Sequence, residues 1–180
     1  NLGRGAARQA ALERATGVYL AMLDADDWAY PDRLSQQVTV LETLREAVLV
    51  SSGMAIVDSN NDLIGIRRAA ALKTGVVVRG PMNVVGRMPI PHAAAMVRMN
   101  AAKKVGYDPG LRRTEDLDFV LRLLLGNRYY VMGETTYAYA EYRSSDLSST
   151  LESLYYARST FRPLVDEFPV SGGVPLFENL

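Results

Sequence analysis

The sequence contains no cysteine and a single histidine, His92. The first absence excludes a disulfide framework, a thiolate zinc site and a cysteine nucleophile, and fits a reducing compartment. The second excludes a histidine-rich metal centre, so any metal must lean on carboxylate oxygens, a donor set that favours Mg2+ or Mn2+ over Zn2+. An excess of charge is also missing, since 20 basic residues balance 20 acidic ones. No global field would draw the chain onto nucleic acid or an anionic membrane. No apolar run approaches the roughly 20 residues that span a bilayer, which reads as a soluble segment. A signal-peptide pattern is absent and the first residue is Asn1 rather than Met, so the segment is expected to be a piece of a longer chain.

What is present suits one α/β domain. At 180 residues, about half of them apolar, the chain can bury a core. The Ala-rich stretch from Gly5 to Ala15, followed by Gly17, reads as a helix with a glycine stop. "VYLAML" then has the length and uniform apolarity of a buried parallel strand. Leu34, Val38, Leu41 and Leu44 fall at helical spacing, predicting a helix from about Pro31 to Ala47. "VLVSSG" is a second buried strand, and a Ser-Asn-Asn-Asp turn within Met54 to Arg68 predicts a hairpin. Residues 69–91 carry repeated Gly and Pro and read as an irregular connection. Beyond them "HAAAMVR" is expected as a strand, "NAAKKVG" as a short helix closed by Gly106, and "TEDLDFVLRLLLG" as a helix capped by Thr114. "RYYVMG" and "TYAYAEYR" read as two strands by their aromatic content, and a helix is expected near Leu147 to Phe161.

The apolar run ends in three carboxylates, Asp24, Asp26 and Asp27. Ligands in open α/β sheets bind outside the carboxyl ends of strands, where this group falls. Carboxylates crowded together repel one another unless a cation or a hydrogen-bond network offsets the repulsion. A divalent metal would do so, and the plainer alternative is that Asp24 and Asp27 cap the loop and the next helix. A calcium loop of the EF-hand type is excluded, because its glycine and glutamate positions, counted from Asp24, hold Ala29 and Ser35. A DxD phosphatase wants Thr or Val where Trp28 stands. A second acidic group, Glu115, Asp116 and Asp118, opens a later helix, where the helix dipole favours negative charge. The two groups can meet only through the fold.

Four stretches together resemble the family-2 glycosyltransferases of the GT-A fold. "NLGRGAARQAAL" is similar to that family's N-x-G-x-x-x-A-R-N helix, and "GVYLAMLDADDWAYPDRL" to its DxD strand followed by Pro. "PHAAAMVRMNAAKKVGYDPGL" resembles its acceptor-side strand, and "TEDLDFVLRLL" its E-D-x-D helix. The match runs over about Asn1 to Ser149. It implies a Rossmann-like, mixed and mostly parallel sheet flanked by helices. A catalytic domain would span residues 1–146, with a C-terminal helix and tail over 147–180. The implied activity is transfer of a sugar, with inversion, from a nucleotide-diphosphate donor to an acceptor hydroxyl on a glycan, polysaccharide or lipid-linked acceptor. The alternative is a noncatalytic GT-A-like binding module.

On this resemblance Asp26 coordinates Mn2+ or Mg2+ against the donor's two phosphates, and Asp24 supports the metal or the ribose. Asp27 is left as an outer or capping residue. Asp116 matches the catalytic base, and Glu115 positions the acceptor or the base. Arg4 and Arg8 lie near the expected diphosphate, with Arg8 equally a structural partner of the Asp loop. His92 resembles a histidine ahead of the acceptor-side strand, Arg122 is expected to pair with an acidic neighbour, and Arg143 is a candidate phosphate contact. Gln9 departs from the family's Asn. The family's earlier strands, ending in Pro-x-Tyr-Asn and Asp-Asp-Gly-Ser loops that form much of the nucleoside pocket, have no counterpart before Asn1. The segment alone is therefore expected to bind donor poorly. A cytoplasmic enzyme is implied, with association at the inner membrane face an option that no residue here demonstrates.

Overall fold

The computed structural model describes residues 2–68, 77–79, 90–141 and 155. The chain opens with α1 (Arg4–Arg14), β1 (Tyr19–Ala21), β2 (Trp28–Ala29) and α2 (Arg33–Thr43). It continues through β3 (Ala47–Val57), β4 (Leu63–Arg67), β5 (Val77–Arg79) and β6 (Met96–Arg98). Two helices, α3 (Met99–Val105) and α4 (Glu115–Leu124), precede the long strand β7 (Arg128–Ala140). The helix expected near Leu147 to Phe161 lies, but for Tyr155, outside the described residues, as do Arg143 and most of the 69–91 connection.

The strands form one mixed sheet in the order β1-β6-β3-β7-β2, with β4 added to β3 and β5 to β7. Alternation along the central strands separates two cores. Leu49, Val97, Tyr129 and Val131 pack with Leu12, Ala102, Phe119 and Leu123 of α1, α3 and α4. Their sequence neighbours Val50, Met96, Tyr130 and Met132 pack instead with Leu41 of α2. Helices thus cover both faces of the sheet, because side chains one residue apart on a strand point to opposite sides.

Three expectations are corrected. First, β1 is not a buried parallel strand: it pairs antiparallel with β6, Tyr19 opposite Arg98 and Ala21 opposite Met96. It closes the strand order on one side and is only partly buried. Among the described residues β3 and β7 make the parallel pair, and the other pairings are antiparallel. Second, "RYYVMG" and "TYAYA" are one strand rather than two, because register shifts opposite Ser51, Gly53 and Met54 absorb the Gly133–Glu134 step. Third, Thr114 does not cap α4 through its side chain. Its backbone sits at φ +60°, in the left-handed region, and its hydroxyl donates to Arg113 O at 2.6 Å.

Two contacts set how α1 meets the rest. A Cβ on Gly5 would stand 2.4 Å from Asp108 O and 2.6 Å from Leu111 O, so only glycine lets the helix approach this turn. Gln9, the departure from the family pattern, accepts a hydrogen bond from Tyr107 N–H at 2.8 Å. The side chain that differs is therefore the one that pins α1 to the segment leading into α4.

Candidate active site

The three carboxylates after β1 have different surroundings. Asp27 is buried, with Oδ2 accepting from the Tyr137 hydroxyl at 2.7 Å and Oδ1 from Ala140 N–H at 2.8 Å. Burial pushes its carboxyl above the ordinary range, against the pull of those two hydrogen bonds. Asp24 is half-buried, donating its N–H to the Tyr137 oxygen at 3.1 Å and holding Arg8 through Oδ1 at 2.9 Å. Asp26 is exposed, and among the described residues its carboxylate has no hydrogen bond or ion pair. The group divides into an anchor, a tethered carboxylate and an open one.

The second acidic group lies beside the first because Arg8 spans both. From the middle of α1 its Nη2 meets Asp24, while its Nε lies 3.6 Å from Glu115 Oε1. Arg4, one helical turn earlier, brings its Nε to 3.2 Å from the same oxygen. Glu115 is fully buried, yet neither carboxylate oxygen accepts a hydrogen bond among the described residues. Burial therefore raises its pKa, although Arg4 and Arg8 pull it the other way. Asp116 is half-buried at the start of α4, with Oδ1 accepting from Leu117 N–H at 2.9 Å. Arg122 pairs with Asp118 as expected and also donates to Val105 O at 2.7 Å and Gly106 O at 2.9 Å, tying α4 to the end of α3.

His92 completes the cluster. Arg8 Nη1 lies 3.1 Å from both of its ring nitrogens, and Nε2 is 2.9 Å from the Tyr107 hydroxyl. Burial and the adjacent guanidinium lower its pKa to about 4, so the ring is neutral at neutral pH. A guanidinium only donates, so the nitrogen facing it must accept. One assignment serves all three groups: Nδ1 accepts from Arg8 and Nε2–H donates to Tyr107. Tyr107 stacks on Phe119 with ring centroids 4.1 Å apart, and the His92 ring meets both edge-on. A cavity of about 210 Å3 opens beside this cluster, lined by Arg8, Asp24, His92 and Tyr107 at its polar end and by Leu12, Leu20 and Leu23 elsewhere.

Asp24, Arg4, Arg8, His92 and Glu115 thus share contacts, with Asp26 and Asp116 beside them in the chain. Two buried residues with polar groups, Arg33 and Tyr137, are not singled out by the sequence, although Arg33 falls within the stretch that carries the DxD resemblance. Arg33 donates to Ala93 O and Ala95 O, and Tyr137 serves the Asp loop. Their partners are distant in sequence, so only the fold discloses them. Among the described residues no group of three or more His, Asp or Glu side chains could enclose a metal alone.

A mixed sheet with helices on both faces and a carboxylate loop beyond a strand end fits the GT-A class. The model of glycosyl transferase family 2 matches residues 1–105, more than half of the chain, and the chain belongs to that family. It is 34% identical over 124 residues to the uncharacterized glycosyltransferase MJ1057 of Methanocaldococcus jannaschii, a match spanning 69% of this chain and 42% of that protein. It is 33% identical over 138 residues to the putative glycosyltransferase EpsE of Bacillus subtilis, spanning 72% of this chain and 46% of that protein. The chain thus covers less than half the length of these curated relatives. The crystal structure of S. aureus TarS residues 1–349 in complex with UDP-GlcNAc superposes with a TM-score of 0.65 at 16% identity, covering 91% of this chain and 47% of TarS, a likeness of fold. No helix among the described residues is long and apolar enough to cross a membrane.

Proposed function

We propose that the protein transfers a sugar, with inversion, from a nucleotide-diphosphate sugar to an acceptor hydroxyl, using a divalent metal at the Asp24–Asp26 loop. The observation that carries this reading is the single guanidinium of Arg8 in contact with both Asp24 and Glu115. It sets a carboxylate loop suited to a diphosphate beside a helix start suited to proton removal. Membership of family 2, with relatives named as glycosyltransferases, supports the same chemistry.

Mn2+ and Mg2+ are commonly held by one or two carboxylates, with phosphate oxygens and water completing the shell. Asp26, exposed and unpaired among the described residues, and the second oxygen of Asp24 fit that donor set. A bound metal would supply charge stabilisation for the leaving diphosphate. Arg8, held by three partners, keeps the loop and α4 in register and adds positive charge beside the diphosphate. Arg4, more exposed and paired with Glu115, adds a second positive charge on the same side of the site. Asp116 takes the proton of the acceptor hydroxyl as its oxygen attacks the anomeric carbon. The carbon–oxygen bond to the diphosphate breaks on the opposite face, and its electron pair stays with the phosphate oxygen. Glu115 holds Arg4 and Arg8 and so positions the base beside it.

The test is donor binding and sugar transfer by the complete natural protein with Mn2+, compared with Asp116→Asn and Asp26→Ala. Asp116→Asn should reduce transfer about 10^2- to 10^4-fold at unchanged donor affinity, the range ascribed to a positioned general base. Asp26→Ala should weaken donor binding itself. Transfer unaffected by Asp116→Asn would remove that residue from the reaction. A complete protein that binds no nucleotide sugar would favour a noncatalytic binding module.

A further inference from the structure

Tyr137 and Arg33 lie between the Asp24–Asp27 loop and the segment that follows His92, and both are essentially inaccessible to solvent. The Tyr137 hydroxyl uses both of its capacities on the carboxylate loop, donating to Asp27 Oδ2 at 2.7 Å and accepting from Asp24 N–H at 3.1 Å. With Ala140 N–H on the other Asp27 oxygen, the loop hangs from β7 by three hydrogen bonds. The Arg33 guanidinium lies over the same ring, 4.9 Å from its centroid. Its Nη2 donates to Ala93 O at 3.2 Å and Ala95 O at 3.1 Å, while Gln37 donates to Ala94 O at 2.8 Å.

No carboxylate pairs with Arg33 among the described residues. A buried cation normally requires compensation. Here the compensation is the face of Tyr137, the backbone oxygens of the segment that follows His92 and Gln37 Oε1, which accepts from Arg33 Nε at 3.2 Å. The buried Asp27 carboxyl and the buried Arg33 guanidinium are therefore joined through one aromatic ring. Close packing of buried side chains carries a displacement at either end toward the other.

We propose that Tyr137 is a positioning residue for the diphosphate end of the donor, fixing the Asp24–Asp27 loop so that Asp24 and Asp26 present their carboxylates at a set place. Arg33 beneath it sets that place relative to the segment bearing His92. The inference rests on the metal-dependent reading above and adds the residues that act through the loop.

The probe is Mn2+ with inorganic pyrophosphate, bound Mn2+ being read by electron paramagnetic resonance on the complete protein. Tyr137→Phe keeps the ring and removes the hydroxyl. It should weaken Mn2+ binding about tenfold, an effect the size of one buried hydrogen bond. The donor KM should rise in parallel while the acceptor KM stays unchanged. Thr136→Val is the control for a merely structural loss: it removes an equally buried hydrogen bond, to Ser52 at 2.7 Å, from the neighbouring residue of β7. It should lower the melting temperature and leave Mn2+ binding alone. If Tyr137→Phe cannot be purified, Arg33→Lys, which removes the planar fork, should weaken Mn2+ binding about threefold. Equal Mn2+ binding by wild type and the variant measured overturns the assignment of Tyr137 and Arg33 while leaving the metal reading intact. Wild-type binding unmoved by Asp26→Ala overturns the metal reading and this inference with it.

Discussion

Asp27 and Glu115 are both buried acids, each next to or near a more exposed carboxylate in its own group, yet the protein holds them by different means. Each oxygen of Asp27 accepts one hydrogen bond, from Tyr137 and from Ala140 N–H. Neither oxygen of Glu115 accepts any among the described residues, and its compensation is the charge of Arg4 and Arg8 at 3.2 and 3.6 Å. Burial raises the pKa of both. Hydrogen bonds fix direction, so Asp27 sets the shape of a loop. Charge attraction is less directional, so Glu115 gathers two cations without fixing their orientation. On this contrast the donor-side loop should be rigid and the α4 side sensitive to any loss of positive charge.

The sharpest way to break the contrast is to remove Arg8, the one side chain common to both regions. Arg8→Ala takes one of the two cations from Glu115, frees Asp24 Oδ1 and takes a donor from His92 in one step. Loss of one partner from a buried pair typically costs about 3–5 kcal/mol. Since Arg8 keeps some exposure and Arg4 remains with Glu115, about 3 kcal/mol is expected in denaturant unfolding. Arg8→Lys should recover little, because an ammonium cannot reach three partners in the geometry of a planar fork. A cost below about 1 kcal/mol would mean that the two acidic groups are held independently.

A smaller effect should appear in the pH dependence of stability through His92. Its pKa in the fold, about 4, lies below the ordinary 6.5. Between these values the unfolded chain binds a proton that the native chain refuses, so this contribution is intact above about pH 6.5 and is lost as pH falls toward about 4. Between pH 7 and pH 5 the loss attributable to His92 should be about 2 kcal/mol. Unfolding of wild type and His92→Gln across that range checks it, since the variant should lack this part of the acid limb. Parallel curves would show that His92 is protonated as readily in the fold as outside it.

The sequence carried the helices and the hairpin because their signals are local. The 3.6-residue spacing from Leu34 to Leu44 and the turn before Leu63 both survive as α2 and the β3–β4 pair. It also carried the charged groups, since three carboxylates after an apolar run need an explanation wherever they fall. What it concealed depends on contacts between distant residues. Gly133–Glu134 looks like a break between two strands, and only the register shifts of β3 show that β7 runs through it. The apolar run of β1 looks interior, yet its pairing with β6 is a property of the sheet. Arg33 and Tyr137 sit in ordinary helix and strand contexts, and their partners are about 60 and 110 residues away. The Thr114 cap failed because its left-handed backbone turns the residue away from the geometry in which a hydroxyl reaches the first amides of α4.

The finest test sets charge against burial at Glu115 itself. With its pKa raised above the ordinary 4.5, the native chain holds this proton more readily than the unfolded one. Its contribution to stability is therefore fully present below the ordinary value and is lost as pH rises through the raised native value. Glu115→Gln keeps the shape, removes the charge that burial disfavours and gives up the attraction of Arg4 and Arg8. These changes oppose one another, so at neutral pH the variant should differ from wild type by less than about 1 kcal/mol. It should gain on wild type as pH is raised from about 4.5. Sugar transfer should nonetheless fall, because Arg4 and Arg8 lose the charge that gathers them beside the Asp loop. A loss of stability approaching that of Arg8→Ala would show that attraction outweighs burial at this residue. Glu115 would then be as firm an anchor as Asp27, and the contrast between the two regions would disappear.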